Sequence, residues 1–331
     1  MMFLFRTNNP FIVLLYPVYL LAFRLVYFIH PAAEQMGCSP GYQLFDFDGM
    51  LPPGSWLSLL AGAVLTGIQA IIVNQIVHAN RFSKQKNHIA GALYIIIASF
   101  LPSFLWFSAF SVGFTFILLA TQYHFAATGK EKAAADLFDI GFLLSLASLF
   151  FLPFLLLFLL FLLWQAILRP FSLRENLAII IGWLAPFFML VSVDYLAELS
   201  VNYSLLWQQS LFTASTPLLS FRPETLISLV SLLLLLIITF FTTQAGLISS
   251  LIQIRKQVLC MYLLLAFTLL VFLLSVRCDF VQLLPVAFPL SVLLMFFLQT
   301  IRSLWLSELL HGILILIVLL NQYFYLINSW L

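Results

Sequence analysis

The stretch AAADLFDIGFLLSLASLFFLPFLLLFLLFLLWQAIL, Ala133–Leu168, decides how this chain is arranged, because after Asp139 it carries no charge at all. A hydrocarbon core about 30 Å thick is crossed by roughly 20 apolar helical residues. The stretch is too long for one crossing, and Pro153 divides it into two short arms. Proline removes a backbone donor and its ring clashes with the preceding turn, so a helix kinks or ends there. Two readings follow: one bent crossing, or a hairpin of two.

Working outward, apolar runs fill nearly the whole chain. Hydrophobic residues make up 63% of its 331 positions and charged ones 8%, with a mean hydropathy of +1.12. Soluble domains carry about 25% charged residues, whereas a surface facing lipid tails needs none. The expected fold class is all-α: a single polytopic transmembrane helix bundle over residues 1–331, with the lipid bilayer as its surroundings. About eleven spans are expected, at roughly Pro10–His30, Trp56–Val77, Ile89–Ala109, Phe110–Ala127, Ala133–Leu152, Phe154–Leu168, Leu177–Leu196, Leu226–Leu247, Val258–Val276, Leu283–Thr300 and Leu306–Trp330. Phe11–Ile29 has no small-residue cleavage site after it and reads as a retained first span.

Basic residues choose between the readings of Ala133–Leu168, since cytoplasmic loops collect lysine and arginine. With a hairpin at Pro153 and an inner N-terminus, eleven cations fall inside: Arg6, Arg81, Lys84, Lys86, Lys130, Lys132, Arg169, Arg174, Arg255, Lys256 and Arg302. Only Arg222 and Arg277 fall outside, and Arg24 lies within the first span. A single crossing would give eight against five. The hairpin is therefore expected, with a cytoplasmic N-terminus and a periplasmic C-terminus. The same arrangement places Glu34, Asp46, Asp48, Asp194, Glu198, Glu224 and Asp279 on the outer face, which also carries the two longest loops, 31–55 and about 197–225. Binding and catalytic groups concentrate on loops, so a site is expected there. The net charge of +2 and the lack of a basic patch with interleaved aromatics give no sign of nucleic-acid binding.

Several patches carry a family resemblance: Ala79–Ser83, Leu93–Pro102, Asp136–Ser148 (DLFDIGFLLSLAS), Arg174 and Gly182–Pro186 (GWLAP). They resemble a family of multi-pass inner-membrane proteins of Bacteroidota whose members are often labelled carotene-cleaving monooxygenases. The resemblance implies a bacterial inner membrane and leaves the activity open. An iron oxygenase needs converging histidines or two histidines with a carboxylate. Here His30 lies at the outer end, His78, His88 and His124 on cytoplasmic loops, and His311 just inside the last span, so lipid-headgroup contacts explain them more simply than a metal centre.

The first outer loop, PAAEQMGCSPGYQLFDFDGMLPPGS, sets Asp46 and Asp48 two residues apart beside aromatics and Gly49. It resembles the acidic first-loop motif of the GT-C superfamily, polytopic glycosyltransferases that use polyprenyl-phosphate sugars. The resemblance implies a carboxylate at Asp46 or Asp48 that activates an acceptor hydroxyl or holds a divalent metal. Arg277–Ser291 (RCDFVQLLPVAFPLS) echoes the basic turn before a late proline-containing span in the same superfamily. Arg24, Arg277 and Asp279 are the matching candidates for a lipid-phosphate site, guanidinium forks being suited to phosphate oxygens. Plainer readings stand beside these: solvated loop acids for Asp46 and Asp48, snorkelling to the interface for Arg24, a local ion pair for Arg277 and Asp279. Asp136 and Asp139 read as a proton path or as interfacial acids. Two functions remain open, a glycosyltransferase-like enzyme or handler of lipid-linked intermediates, and a non-catalytic subunit that scaffolds other envelope-assembly proteins. A transporter is less expected, because no inverted repeat is evident. Cys38 and Cys278 share the outer side and are candidates for a disulfide if their Cα atoms come within about 7 Å.

Overall fold

The computed structural model describes residues 5, 10–29, 51–52, 54–83, 87–198, 223–247, 251–274, 280–301 and 303–330. Among these residues there is no strand. The α-helices are α1 (Leu15–Ile29, entered through a 3-10 turn at Pro10–Leu14), α2 (Trp56–Ala79), α3 (Ile89–Ile97), α4 (Ala109–Ala127), α5 (Ala134–Phe150), α6 (Leu155–Leu168), α7 (Leu173–Ala197), α8 (Pro223–Leu247), α9 (Ile252–Leu274), α10 (Ala287–Thr300, after a 3-10 stretch at Phe280–Val286) and α11 (Leu304–Trp330).

Local chemistry accounts for several boundaries. Ser55 opens α2 by accepting from the Ser58 N–H at 3.2 Å. Ser108 and Ser111 form a reciprocal capping box at α4, satisfying donors that a helix start leaves without partners. Pro153 sits in a 3-10 turn at Leu152–Phe154 that ends α5 and starts α6. Glu198, in the left-handed region with φ 52, closes α7.

Eight helical segments are long and apolar enough to cross a membrane: Phe11–Ile29, Trp56–Ala79, Ala109–Ala127, Leu173–Ala197, Leu226–Gln244, Ile252–Leu273, Phe280–Gln299 and Trp305–Tyr323. These eight match eight of the spans expected from sequence. The other three expected spans fall on α3, α5 and α6, of 9, 17 and 14 residues. For Ile89–Ala109 the expectation of one continuous helix is corrected: α3 stops at Ile97, and the chain continues through turns and a short 3-10 piece at Pro102–Phe104 until Ala109. The reason lies in packing. Every residue of α3 is buried, so its all-round apolarity reflects enclosure by protein.

Contacts sort the helix ends into two sets. At one end the His88 N–H donates to Phe5 O at 2.8 Å. There Gln257 Nε2 donates to Asn80 Oδ1 at 2.9 Å, and Gln299 Nε2 to Ser83 Oγ at 3.0 Å. The same end holds Arg169, whose Nη1 donates to the carbonyls of Ala127 and of Lys130, the latter at 2.9 Å. Lys130 in turn bridges Asp136 in the first turn of α5 at 2.8 Å. The end of α6 thus returns to where α5 begins, and the chain reverses at Leu152–Phe154. Toward the other end the Phe107 N–H donates to Ser58 O at 3.2 Å, and the Phe110 ring lies 4.9 Å from both Phe151 and Phe154. Among the described residues every lysine and arginine except Arg24 lies at the first, basic end, while Asp194 and Glu198 end α7 at the other.

Burial ranks the helices by depth. In the apolar stretch containing α10, 89% of a spanning window is buried, against 17% for α7 and for α8, so α10 is central and α7 and α8 are peripheral. The Phe-rich run 149–164 contributes Phe151, Phe154, Phe161 and Trp164 to the core. α5 and α7 touch backbone to backbone. A Cβ added at Gly141 would lie 2.8 Å from Trp183 N, and one at Gly182 would lie 2.9 Å from Phe138 C. Small residues permit this approach where hydrophobic association is weak.

Candidate functional site

The interruption after α3 is where polar chemistry gathers in the core. Outside a regular helix, carbonyl oxygens lose their partners, and at membrane depth such backbone is tolerated only when enclosed by protein or water. Here side chains from three helices supply the donors, and Thr66 on a fourth braces one of them. Arg24 on α1 donates from Nε to Leu105 O at 3.3 Å and from Nη2 to Thr66 Oγ1 of α2 at 3.1 Å. Its Nη1 reaches Leu20 O at 3.5 Å, and Thr66 passes its own proton to Gly62 O at 2.7 Å. Ser228 on α8 donates to Phe100 O at 3.0 Å. Asn321 on α11 donates to the same oxygen at 3.0 Å and to Ser228 Oγ, and Gln322 reaches Ser99 O at 3.4 Å.

Arg24 corrects an expectation. It does not snorkel: its side chain is 0% exposed, enclosed between α1, α2 and the non-helical stretch. Its partners are two carbonyls and a hydroxyl, and among the described residues no carboxylate pairs with it. A guanidinium has five N–H donors in a fixed fork, and three are used here. Buried charge is costly unless paired or hydrogen-bonded, and these three polar contacts are what the described residues offer it. Asp46, Asp48, Arg277 and Asp279, the other candidates from sequence, lie outside the described residues, as do Cys38 and Cys278. α1 packs chiefly on α2, α3 and α11, whereas α7 packs chiefly on α5.

The histidines divide. His78 is in the last turn of α2, and its ring lies 5.6 Å from that of His88. His88 Nδ1 is 2.9 Å from Asn74 Nδ2, and Tyr16 donates to His88 O at 2.9 Å. Asn74 also accepts from the Gly91 N–H at 3.1 Å. Together these bonds clamp the start of α3 against α1 and α2. Burial, and secondarily the His78 imidazole, pushes His88 below the ordinary histidine value. His124, expected on a loop, is instead buried in α4 against Phe161 and Trp164, ring centres 5.6 and 5.8 Å away. His311 meets the Tyr19 hydroxyl at 3.0 Å. No group of three or more metal-ligating histidine, cysteine or acidic side chains occurs among the described residues. At the basic end Asp136 is paired to Lys130 and Asp139 is exposed, which favours the interfacial reading. Cys260 is buried in α9.

Thr66, Ser228, Asn321 and Gln322 are functional candidates that only the packing reveals. The available signal was slight: isolated polar residues inside apolar runs, with Ser99, Pro102 and Ser103 marking a weak helix.

The described structure defines an all-helical protein with eight helices suited to crossing a membrane. No family model, no curated protein and no solved structure matches the chain.

Proposed function

We propose that this chain is an eleven-crossing protein of a bacterial inner membrane that handles a polyprenyl-phosphate-type intermediate of cell-envelope assembly. Its site is at the end opposite the basic one, which faces the periplasm. The third crossing is α3 with the non-helical stretch that follows, and α5 and α6 form the fifth and sixth. The N-terminus is cytoplasmic and the C-terminus periplasmic, an orientation supported by the one-sided distribution of lysine and arginine.

The observation that carries the functional reading is Arg24, a fully buried cation without a carboxylate partner among the described residues. Phosphate suits a guanidinium fork better than any neutral headgroup. Asp46 or Asp48 on the first outer loop supplies the carboxylate that would activate an acceptor hydroxyl, directly or by holding a divalent metal. The proposed topology assigns Arg277 and Asp279 to the periplasmic side as well. The runner-up, a non-catalytic subunit that scaffolds envelope proteins, is favoured by the low burial of α7 and α8.

The test is a binding comparison with the purified full chain. Polyprenyl phosphate should bind in preference to the uncharged polyprenol, and Arg24→Gln should abolish that preference. Equal binding of the two lipids by the parent protein defeats the phosphate reading and leaves the scaffold. Asp46→Asn and Asp48→Asn then separate handler from enzyme, since in a glycosyltransferase one of them removes turnover while lipid binding persists.

A further inference from the structure

We infer that the carbonyl end of α3, closed over by α8 and α11, is a binding site for a monovalent alkali cation. The cluster is built of oxygen: the carbonyls of Ser99 and Phe100, the Ser228 hydroxyl, and the amide oxygens of Asn321 and Gln322. All five residues are buried, at most 2% exposed. The amide nitrogens of Asn321 and Gln322 are spent on the two carbonyls, yet Asn321 Oδ1 and Gln322 Oε1 have no hydrogen-bond partner among the described residues. Turning the Asn321 amide over does not cure this, because its oxygen would then face the carbonyl oxygen of Phe100. Two buried acceptors without a donor, on the same amides that hold the Ser99 and Phe100 carbonyls, call for a positive guest.

The ligand type fixes the class of guest. Hard cations take carbonyl, hydroxyl and amide oxygens. Interrupted helices at membrane depth hold such ions at their C-terminal ends, where the helix dipole is negative. α3 ends at Ile97, immediately before the Ser99 and Phe100 carbonyls. No carboxylate belongs to the cluster, so the charge it can balance is small, and a divalent ion is a poor fit. Arg24 sits on Leu105, at the other end of the same interruption. Its repulsion weakens the site and disfavours divalent ions further. This inference stands apart from the lipid-phosphate reading, since neither Asn321 nor Gln322 takes part in it.

The experiment measures the thermal midpoint of the purified full chain in sodium, potassium or choline chloride at equal ionic strength. Preferential binding to the folded state should raise the midpoint in sodium or potassium over choline by about 3 °C, once the ion is at roughly ten times its dissociation constant. The Asn321→Ala/Gln322→Ala variant should have a lower midpoint in choline, because two buried carbonyls lose a donor, and should lose the ion-specific rise. Identical midpoints in all three salts overturn the proposal, because ordered water would then be what satisfies the two amides. A rise that survives in the double variant overturns the placement. If the double variant does not fold, Ser228→Ala serves in its place, and the parent's response to the three salts is decisive in any case.

Discussion

Arg24 holds the carbonyl of Leu105 through its Nε at 3.3 Å, joining the first helix to the non-helical stretch that follows α3. Two opposing costs meet in this bond. Losing it leaves a buried carbonyl without a donor, at about 1–3 kcal/mol. Keeping it holds a charge away from water, at several kcal/mol for an ion without a counter-charge. The second is the larger, so Arg24→Met, of similar bulk, should unfold at or above the parent's midpoint in the absence of ligand while losing selectivity for polyprenyl phosphate. A large fall in midpoint would mean that the charge is retained for stability.

Gly141 and Gly182 let α5 and α7 meet at their backbones, and the atoms a new methyl would strike are main-chain atoms that cannot swing aside. Gly141→Ala should therefore force the helices apart and cost about 1–3 kcal/mol, as overpacking does. Gly129→Ala, with nothing within 4 Å of the added carbon, is the control and should leave the midpoint unchanged. Denaturation of both variants in the same detergent checks the pair.

His88 makes stability depend on pH. Its value is lowered in the folded protein from the ordinary 6.5 by burial and by His78. Below about pH 6.5 the unfolded chain binds the proton and the folded chain resists it, so stability is full above that pH and falls as the solution is acidified toward the folded value. The thermal midpoint should drop between about pH 7 and pH 5, and His88→Asn should flatten that drop. A slope unchanged in the variant would assign it to other groups.

The all-helical class, eight helices of membrane-crossing length and the reversal at Pro153 were legible in the sequence, because each rests on a one-dimensional signal: apolar run length, proline, and the end at which cations gather. Ile89–Ala109 misled because an enclosed apolar helix and a lipid-facing one have the same composition. Only contacts show that α3 is buried on all faces and ends at Ile97. Arg24 was misplaced for a related reason: a lone arginine near a helix end snorkels unless a neighbour offers acceptors, and the acceptors here are backbone oxygens of residues distant in sequence. Asn321 and Gln322 carry no motif, and their environment arises from packing against Ser99 and Phe100.

The crossing count has its own test at Pro153. Arg169 bonds to Ala127 and Lys130 at the basic end, so α6 comes back to the side from which α5 started. Each arm is short, 17 and 14 residues, or about 26 and 21 Å at 1.5 Å per residue, against a core of about 30 Å. Thinning of the bilayer and protein neighbours on both arms make such lengths workable, and Leu157, Leu160 and Phe161 are buried. If both arms cross, a reporter fused after Leu331 is periplasmic, and single cysteines at Arg174 and Glu198 label from opposite sides, the former from the cytoplasm. A cytoplasmic signal after Leu331, with a cysteine at Arg174 labelled from the periplasm, would mean that α5 and α6 together cross once, and would move every later loop to the other face.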